Sequence, residues 1–147
     1  MAKVDILHCS GKGESMKTNK LIGTALDWAV AKCEGYDRDK YMMSPDIRKD
    51  VNNKVIGIMV PNNRDYIWFR PSTDWAQAGP IIEREKISLL DQSTQAWGTP
   101  PLIWFAAVGD VSDDEVLGYR GPTPLVAAMR CYVASTLGDE VEIPRAV

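Results

Sequence analysis

The sequence predicts a single α+β domain, an antiparallel sheet packed with two main helices and one short kinked helix. Three observations predict it. TPLVAAMRCYVASTLGDE has helical periodicity, bounded by the capping pair Thr123-Pro124 and by Gly138. KVIGIMV and YIWF are apolar strands separated by PNNRD, a turn by composition, so they make a hairpin. The order helix, strands, short helix, strands, helix comes in blocks, which favours an antiparallel sheet with helices packed on it.

In chain order, residues 1–16 form an appendage, with a short strand from Val4 to Leu7 and then the polar run GKGES. That run lacks the glycine spacing and the Lys-Ser/Thr ending of a phosphate loop. Residues 17–147 form the domain. From Lys17 to Gly35 the pattern is helical, with Ile22, Leu26, Ala29 and Cys33 on one stripe and Gly35 closing it. Tyr36 to Asn53 is a polar connection carrying Met42 and Met43. After the hairpin, Ser72 caps a short turn, Gly79-Pro80 kinks it, and a second short helix runs to Glu85. KISLL and QAW are strands around the turn DQST; LIWFAAV follows as an apolar strand, and GDVSDDEVLGYRG as an acidic loop. On the last helix Leu125, Ala128, Met129, Tyr132, Val133 and Leu137 share a face. The tail EVEIPRAV is peripheral.

At 147 residues the chain is one domain's worth, and 45% hydrophobic with 25% charged residues is an ordinary globular composition. A net charge of -3 argues against non-specific duplex binding, which needs an electropositive face. No stretch is apolar enough for a membrane span, and the N-terminus lacks the layout of a secretory signal. The three cysteines, Cys9, Cys33 and Cys131, have no C-x-x-C spacing, which points to a reducing cytoplasm without disulfides or a zinc site. His8, the one histidine, adjoins Cys9, and neighbours on an extended chain point to opposite faces, so they make no catalytic pair. Asp113, Asp114 and Glu115 read as a solvated acidic run. No catalytic residues, metal ligands or cofactor motif are assigned.

The stretch RPSTDWAQAGPIIERE concentrates the chemistry that remains. Its first explanation is structural: a helix cap, with Trp75 and Ile82 burying one face on the sheet. The functional alternative uses the same atoms. A helix start offers N–H groups to an anion, Arg70 adds charge-assisted hydrogen bonds, and the Ser72 and Thr73 hydroxyls join them. Trp75 then supplies a stacking face, worth roughly 1–3 kcal/mol for a base. Arg120, placed ahead of the Thr123 cap, repeats the arrangement, so two such starts would either share one phosphate-sized pocket or be two unrelated caps.

The blocks TALDWAVAKCEG, PSTDWAQAGPIIERE and GPTPLVAAMRCYVASTLGDEVEIP, in this order, resemble the NinX-like group of small tailed-phage and prophage proteins. More distantly the chain is similar to the phage α-β-α sandwich domains. The appendage, the Tyr36–Asn53 connection and a Thr99–Gly118 insertion depart from that pattern. The resemblance implies phage origin, expression in a bacterial cytoplasm and an accessory role, and brings no particular activity. It favours a non-catalytic binder that sequesters a small nucleotide immune messenger through Arg70, Ser72, Thr73, Trp75, Arg120 and Thr123, as a homo-oligomer. The alternative is an inhibitor or adaptor of a host protein, using exposed aromatic residues of YIWF and LIWF.

Overall fold

A helix with apolar residues on every side must be surrounded, and the last helix is of that kind. In the computed structural model, which describes residues 13–36, 45–63, 65–92, 103–109 and 118–147, helix α3 spans Pro124–Leu137. Leu125, Val126, Ala127, Ala128, Met129, Cys131, Tyr132 and Val133 are all buried along it. Its start is as the sequence predicts: the Thr123 hydroxyl accepts from the Val126 N–H at 3.2 Å, Pro124 takes the first position, and Gly138 ends it with φ +93.

Around α3 stand three antiparallel sheets and two further helices, forming one compact α+β domain that is not a barrel. Strand β1 (Glu14–Lys17) pairs with β8 (Glu140–Ile143). Strands β2 (Asp46–Lys49), β3 (Val55–Asn62) and β4 (Asp65–Phe69) make the second sheet. Strands β5 (Ile87–Asp91), β6 (Trp104–Val108) and β7 (Gly118–Gly121) make the third, with β6 in the centre. Helix α1 (Gly23–Cys33) packs on α3 and β3, and α2 (Trp75–Glu85) on α3 and β5. Ile58, Val60 and Phe69 from the second sheet, Ile87 and Ala106 from the third, and Val141 and Ile143 from β8 fill one core with the helices.

Helix α1 starts six residues later than its periodicity suggests. Lys17 is committed to β1 opposite Glu140, and the Thr18 N–H bonds the Asp139 carbonyl at 2.8 Å, so Thr18–Lys20 can only form a single 3-10 turn. The other end is as predicted. Gly35 takes φ +92, and the Gly35 and Tyr36 N–H groups close on the Lys32 and Ala31 carbonyls, which the helix alone leaves unpaired.

Three expectations about α2 are corrected. The cap is Asp74 and not Ser72: its carboxylate accepts the Ala76 N–H at 2.9 Å, after the Thr73 and Asp74 N–H groups have turned back onto the Arg70 carbonyl. The helix also runs unbroken through Pro80. Proline removes the bond to the carbonyl four residues back, that of Ala76, which is an exposed residue. Ala78 and Ile81, buried on either side of the proline, hold the two halves in line. The buried face is therefore not the Trp75–Ile82 stripe, since Trp75 is 55% exposed.

The tail is not peripheral. Val141 and Ile143 are 4% and 1% exposed, and their strand is the partner of β1. The polar segments around β2 and β7, read as connections, supply edge strands. Val4–Leu7, QAW, Met42 and Met43 lie outside the described residues.

Strand β4 is an edge, and at its end one side chain takes two outward backbone groups. The Gln77 carboxamide donates to the Trp68 carbonyl at 2.6 Å and accepts from the Arg70 N–H at 2.6 Å, standing in for a neighbouring strand. Replacing Gln77 with alanine leaves both groups to water. It is expected to cost about 0.5–1.5 kcal/mol, read as a lower urea midpoint at unchanged slope. Gln77→Glu should fail to rescue, because a carboxylate cannot donate to Trp68; an unshifted midpoint in either variant would dismiss the edge closure.

Candidate functional site

The predicted site residues fall into two groups on different sheets. Arg70, Ser72, Thr73 and Trp75 occupy the turn from β4 into α2. Arg120 lies in β7, and Thr123 caps α3. The guanidinium of Arg70 stacks over the Trp68 ring at 4.6 Å. Ser72 is 2% exposed and faces inward, its N–H donated at 2.8 Å to the carboxylate of Asp27 on α1. Thr73 is exposed, its hydroxyl 3.5 Å from the Arg70 carbonyl. Trp75 presents its ring to solvent.

A cleft of about 570 Å³ opens beside the second group, lined by Asn19, Ile103, Gly118, Tyr119, Arg120, Gly121, Pro122 and Arg130. None of the Arg70 group lines it, so the two helix starts do not share this cavity. Its geometry follows from packing. Gly121 lets β7 come against α3 so closely that an added Cβ would sit 2.6 Å from the Ala127 nitrogen. Arg130, the one charged residue in α3, is half-buried and fixed by two carbonyls: Nε to Leu21 and Nη1 to Arg120, both at 2.8 Å. Burial lowers its pKa. Arg120 is exposed, with a 3.2 Å bond from Nε to Gln92. The Tyr119 hydroxyl donates to Asp139 at 2.6 Å, and that hydrogen bond, helped by desolvation, pushes its pKa up to about 12. Among the described residues two arginines and no carboxylate line the cleft, which suits an anion.

Asn19, Tyr119 and Arg130 escaped the sequence reading. A lone charge in an otherwise apolar helix was a signal for Arg130; nothing local marks Asn19, which reaches the cleft through the β1–β8 pairing.

Elsewhere, a polar joint ties three helices together. Arg84 on α2 donates to Glu34 at the end of α1 at 2.6 Å, and the Tyr132 hydroxyl on α3 donates to the same carboxylate oxygen at 2.8 Å. Arg84 also pairs with Glu85 at 2.9 Å, which holds its guanidinium between two carboxylates. The described thiols are not poised for nucleophilic chemistry: burial pushes Cys33 up to about 12 and Cys131 up to about 11. Among the described residues no three His, Cys, Asp or Glu side chains are grouped to hold a metal ion. No helix among them is long and apolar enough to cross a membrane. His8, Cys9, Trp97 and the run Asp113–Glu115 lie outside the described residues.

These features define a small α+β domain with a cationic cleft at the junction of a sheet and its central helix. Residues 17–136 match the family model described as Bacteriophage P22, NinX, and the chain belongs to that phage family. No curated protein matches the chain.

Thr123→Ala removes the α3 cap and is expected to lower stability by about 0.5–2 kcal/mol. Arg120→Ala, which truncates an exposed side chain, should stay within about 0.5 kcal/mol of the parent. Thermal melting of both variants checks this; a large loss in Arg120→Ala would make that arginine a structural residue.

Proposed function

We propose that this phage protein acts by binding and not by catalysis, sequestering a small nucleotide messenger in the cleft beside Arg120. One observation carries the reading: the cleft, sized for a small ligand, is flanked by two guanidiniums, and among the described residues no carboxylate lines it to oppose an anion. Arg120 supplies a movable cation, Arg130 a fixed one, and Tyr119 an aromatic ring beside them. The capped start of α3 follows immediately at Thr123. Arg70, Ser72, Thr73 and Trp75 are not part of this cavity, and Ser72 spends its N–H on Asp27.

A second reading, contact with a host protein, draws on the other group. Tyr66 and Ile67 are each 41% exposed and Trp75 55%, beside the Arg70–Trp68 stack. Tyrosine, tryptophan and arginine are the residue types that dominate protein interfaces.

The test is to incubate the purified protein with cyclic dinucleotide and ADP-ribose-derived messengers, remove the excess, denature it and assay what is released. The sequestering reading expects a messenger recovered unaltered, with at least tenfold weaker retention by Arg120→Ala. Retention of none would dismiss it in favour of the protein contact; recovery in altered form would make the protein an enzyme.

A further inference from the structure

The most exposed aliphatic side chains among the described residues gather at one place. Val51 is wholly exposed, at 101%, with Ile22 at 55% and Ile56 at 51%. Ile22 lines a groove of about 350 Å³ together with Met16, Ala25 and Val55, and Lys20 is the charged side chain on its wall. Ile56 follows Val55 in β3, and Val51 stands in the β2–β3 turn that the Lys49–Val55 pair closes. Single exposed aliphatic residues are ordinary on a protein surface, whereas a cluster of them beside an apolar groove marks a contact site.

The turn itself does not account for Val51. Asp50 Oδ1 accepts the Asn52 N–H at 2.8 Å and the Lys54 N–H at 2.9 Å, and the Asp50 N–H donates to the Lys54 carbonyl at 2.9 Å. Asn53 takes the left-handed conformation, with φ +63. This chemistry calls for an aspartate at 50 and favours an asparagine at 53, and it needs nothing apolar at 51. It also fixes the shape of the turn before any contact, so little conformational freedom is lost on docking.

Charge around the groove is positive, in a chain whose net charge is -3. Lys20, Lys49 and Lys54 are exposed, and none of them makes an ion pair with a described residue. The Asp50 carboxylate is turned onto N–H groups of its own turn. In the β1–β8 ladder Met16 stands opposite Val141, and Glu140 and Glu142 alternate onto the other face.

We propose that this surface docks a partner protein through an aliphatic anchor flanked by carboxylates. The anchor enters the groove against Ile22 and Val55, Val51 packs beside it, and Lys20, Lys49 and Lys54 meet the acidic flanks. Charge and shape select this occupant. A second copy of the chain would bring the same lysines face to face, and like charges there repel. A lipid surface would leave the concave groove unfilled, whereas a protruding side chain fills it. The surface shares no residue with the Arg120 cleft. It is also separate from the exposed aromatic group, since Tyr66 pairs with Pro61, at the other end of β3 from Val55.

Fluorescence anisotropy with a labelled peptide that carries paired leucines between runs of glutamate tests the proposal. The parent protein should bind it, more weakly as salt is raised, and the amide NMR signals of Ile22, Val51 and Val55 should shift. Ile22→Ser and Val51→Ser change exposed side chains and should melt as the parent does, yet each should weaken binding about tenfold, as should Lys54→Glu. Three results would overturn it: no binding, equal binding of peptides with serine for leucine or lysine for glutamate, or unchanged affinity in both serine variants. Two others would overturn it by naming a different occupant. Co-sedimentation with phosphatidylserine vesicles in place of peptide binding would assign the surface to lipid. A parent dimer that Val51→Ser turns into a monomer would assign it to a second copy.

Discussion

The structure depends on the burial of α3 on all sides. An amphipathic helix can lie on a sheet and leave its outer face to water; a helix buried from Leu125 to Val133 at every position but the half-buried Arg130 cannot. Everything else is arranged to cover it: the third sheet along one side, α1 and α2 along another, and the 3-10 turn and β8 toward its ends. The small residues make this feasible. Ala127 lets β7 approach at Gly121, where even a methyl group would collide with helix backbone. Close approach of backbone to backbone brings the β7 carbonyls near α3, and the Arg120 carbonyl becomes a ligand for Arg130. The cationic cleft is thus a by-product of how tightly α3 is enclosed.

Enclosing a helix by elements from distant parts of the chain leaves polar ends to be satisfied, and the polar contacts fall at these joints. The buried Thr18 hydroxyl donates to the Gly138 carbonyl at 2.7 Å, capping the C-terminus of α3 and binding β1 to it. Arg130 satisfies the Leu21 carbonyl just ahead of α1. Glu34 receives both Arg84 and Tyr132 where three helices meet. Asp27 takes the Ser72 N–H at the entrance to α2. Each joins segments far apart in sequence, so each bond exists only after the apolar core has brought them together. At two of these joints, Asp27 and Arg130, burial works against the charge of the side chain it positions.

What the sequence made legible was what neighbouring residues decide. Thr123, Pro124 and Gly138 punctuate the 14 residues of α3 from its own two ends, and the turn between KVIGIMV and YIWF fixes the hairpin locally. Strands β2 and β7 escaped because DIRK and GYRG are short and polar; only their pairing with β3 and β6 makes them strands. Strand β8 did carry a signal, the alternation of Val141 and Ile143 with charged residues, but its partner lies over a hundred positions away. Pro80 shows a local rule overridden by packing, since the burial of Ala78 and Ile81 outweighs one lost hydrogen bond. Of the six candidate residues read from the sequence Arg120 alone lines the cleft; Thr123 caps the helix that follows, and Ser72 faces a carboxylate that no local pattern ties to it.

The separation of the two arginine-bearing helix starts has a physical origin. Helix α2 begins where β4 of the second sheet ends, and α3 begins where β7 of the third ends, and these sheets are not hydrogen-bonded to each other. Both starts repeat the same local chemistry, an arginine ahead of a capped helix, yet the outcomes differ. After β7 the glycine at 121 and the anchored Arg130 leave an open space beside the cap. After β4 the turn is folded inward onto α1 by Asp27, the arginine lies flat on Trp68, and Gln77 occupies the strand edge. A helix start becomes a cavity only where packing leaves room in front of it, and in this protein the close fit of Gly121 against α3 leaves that room at Arg120.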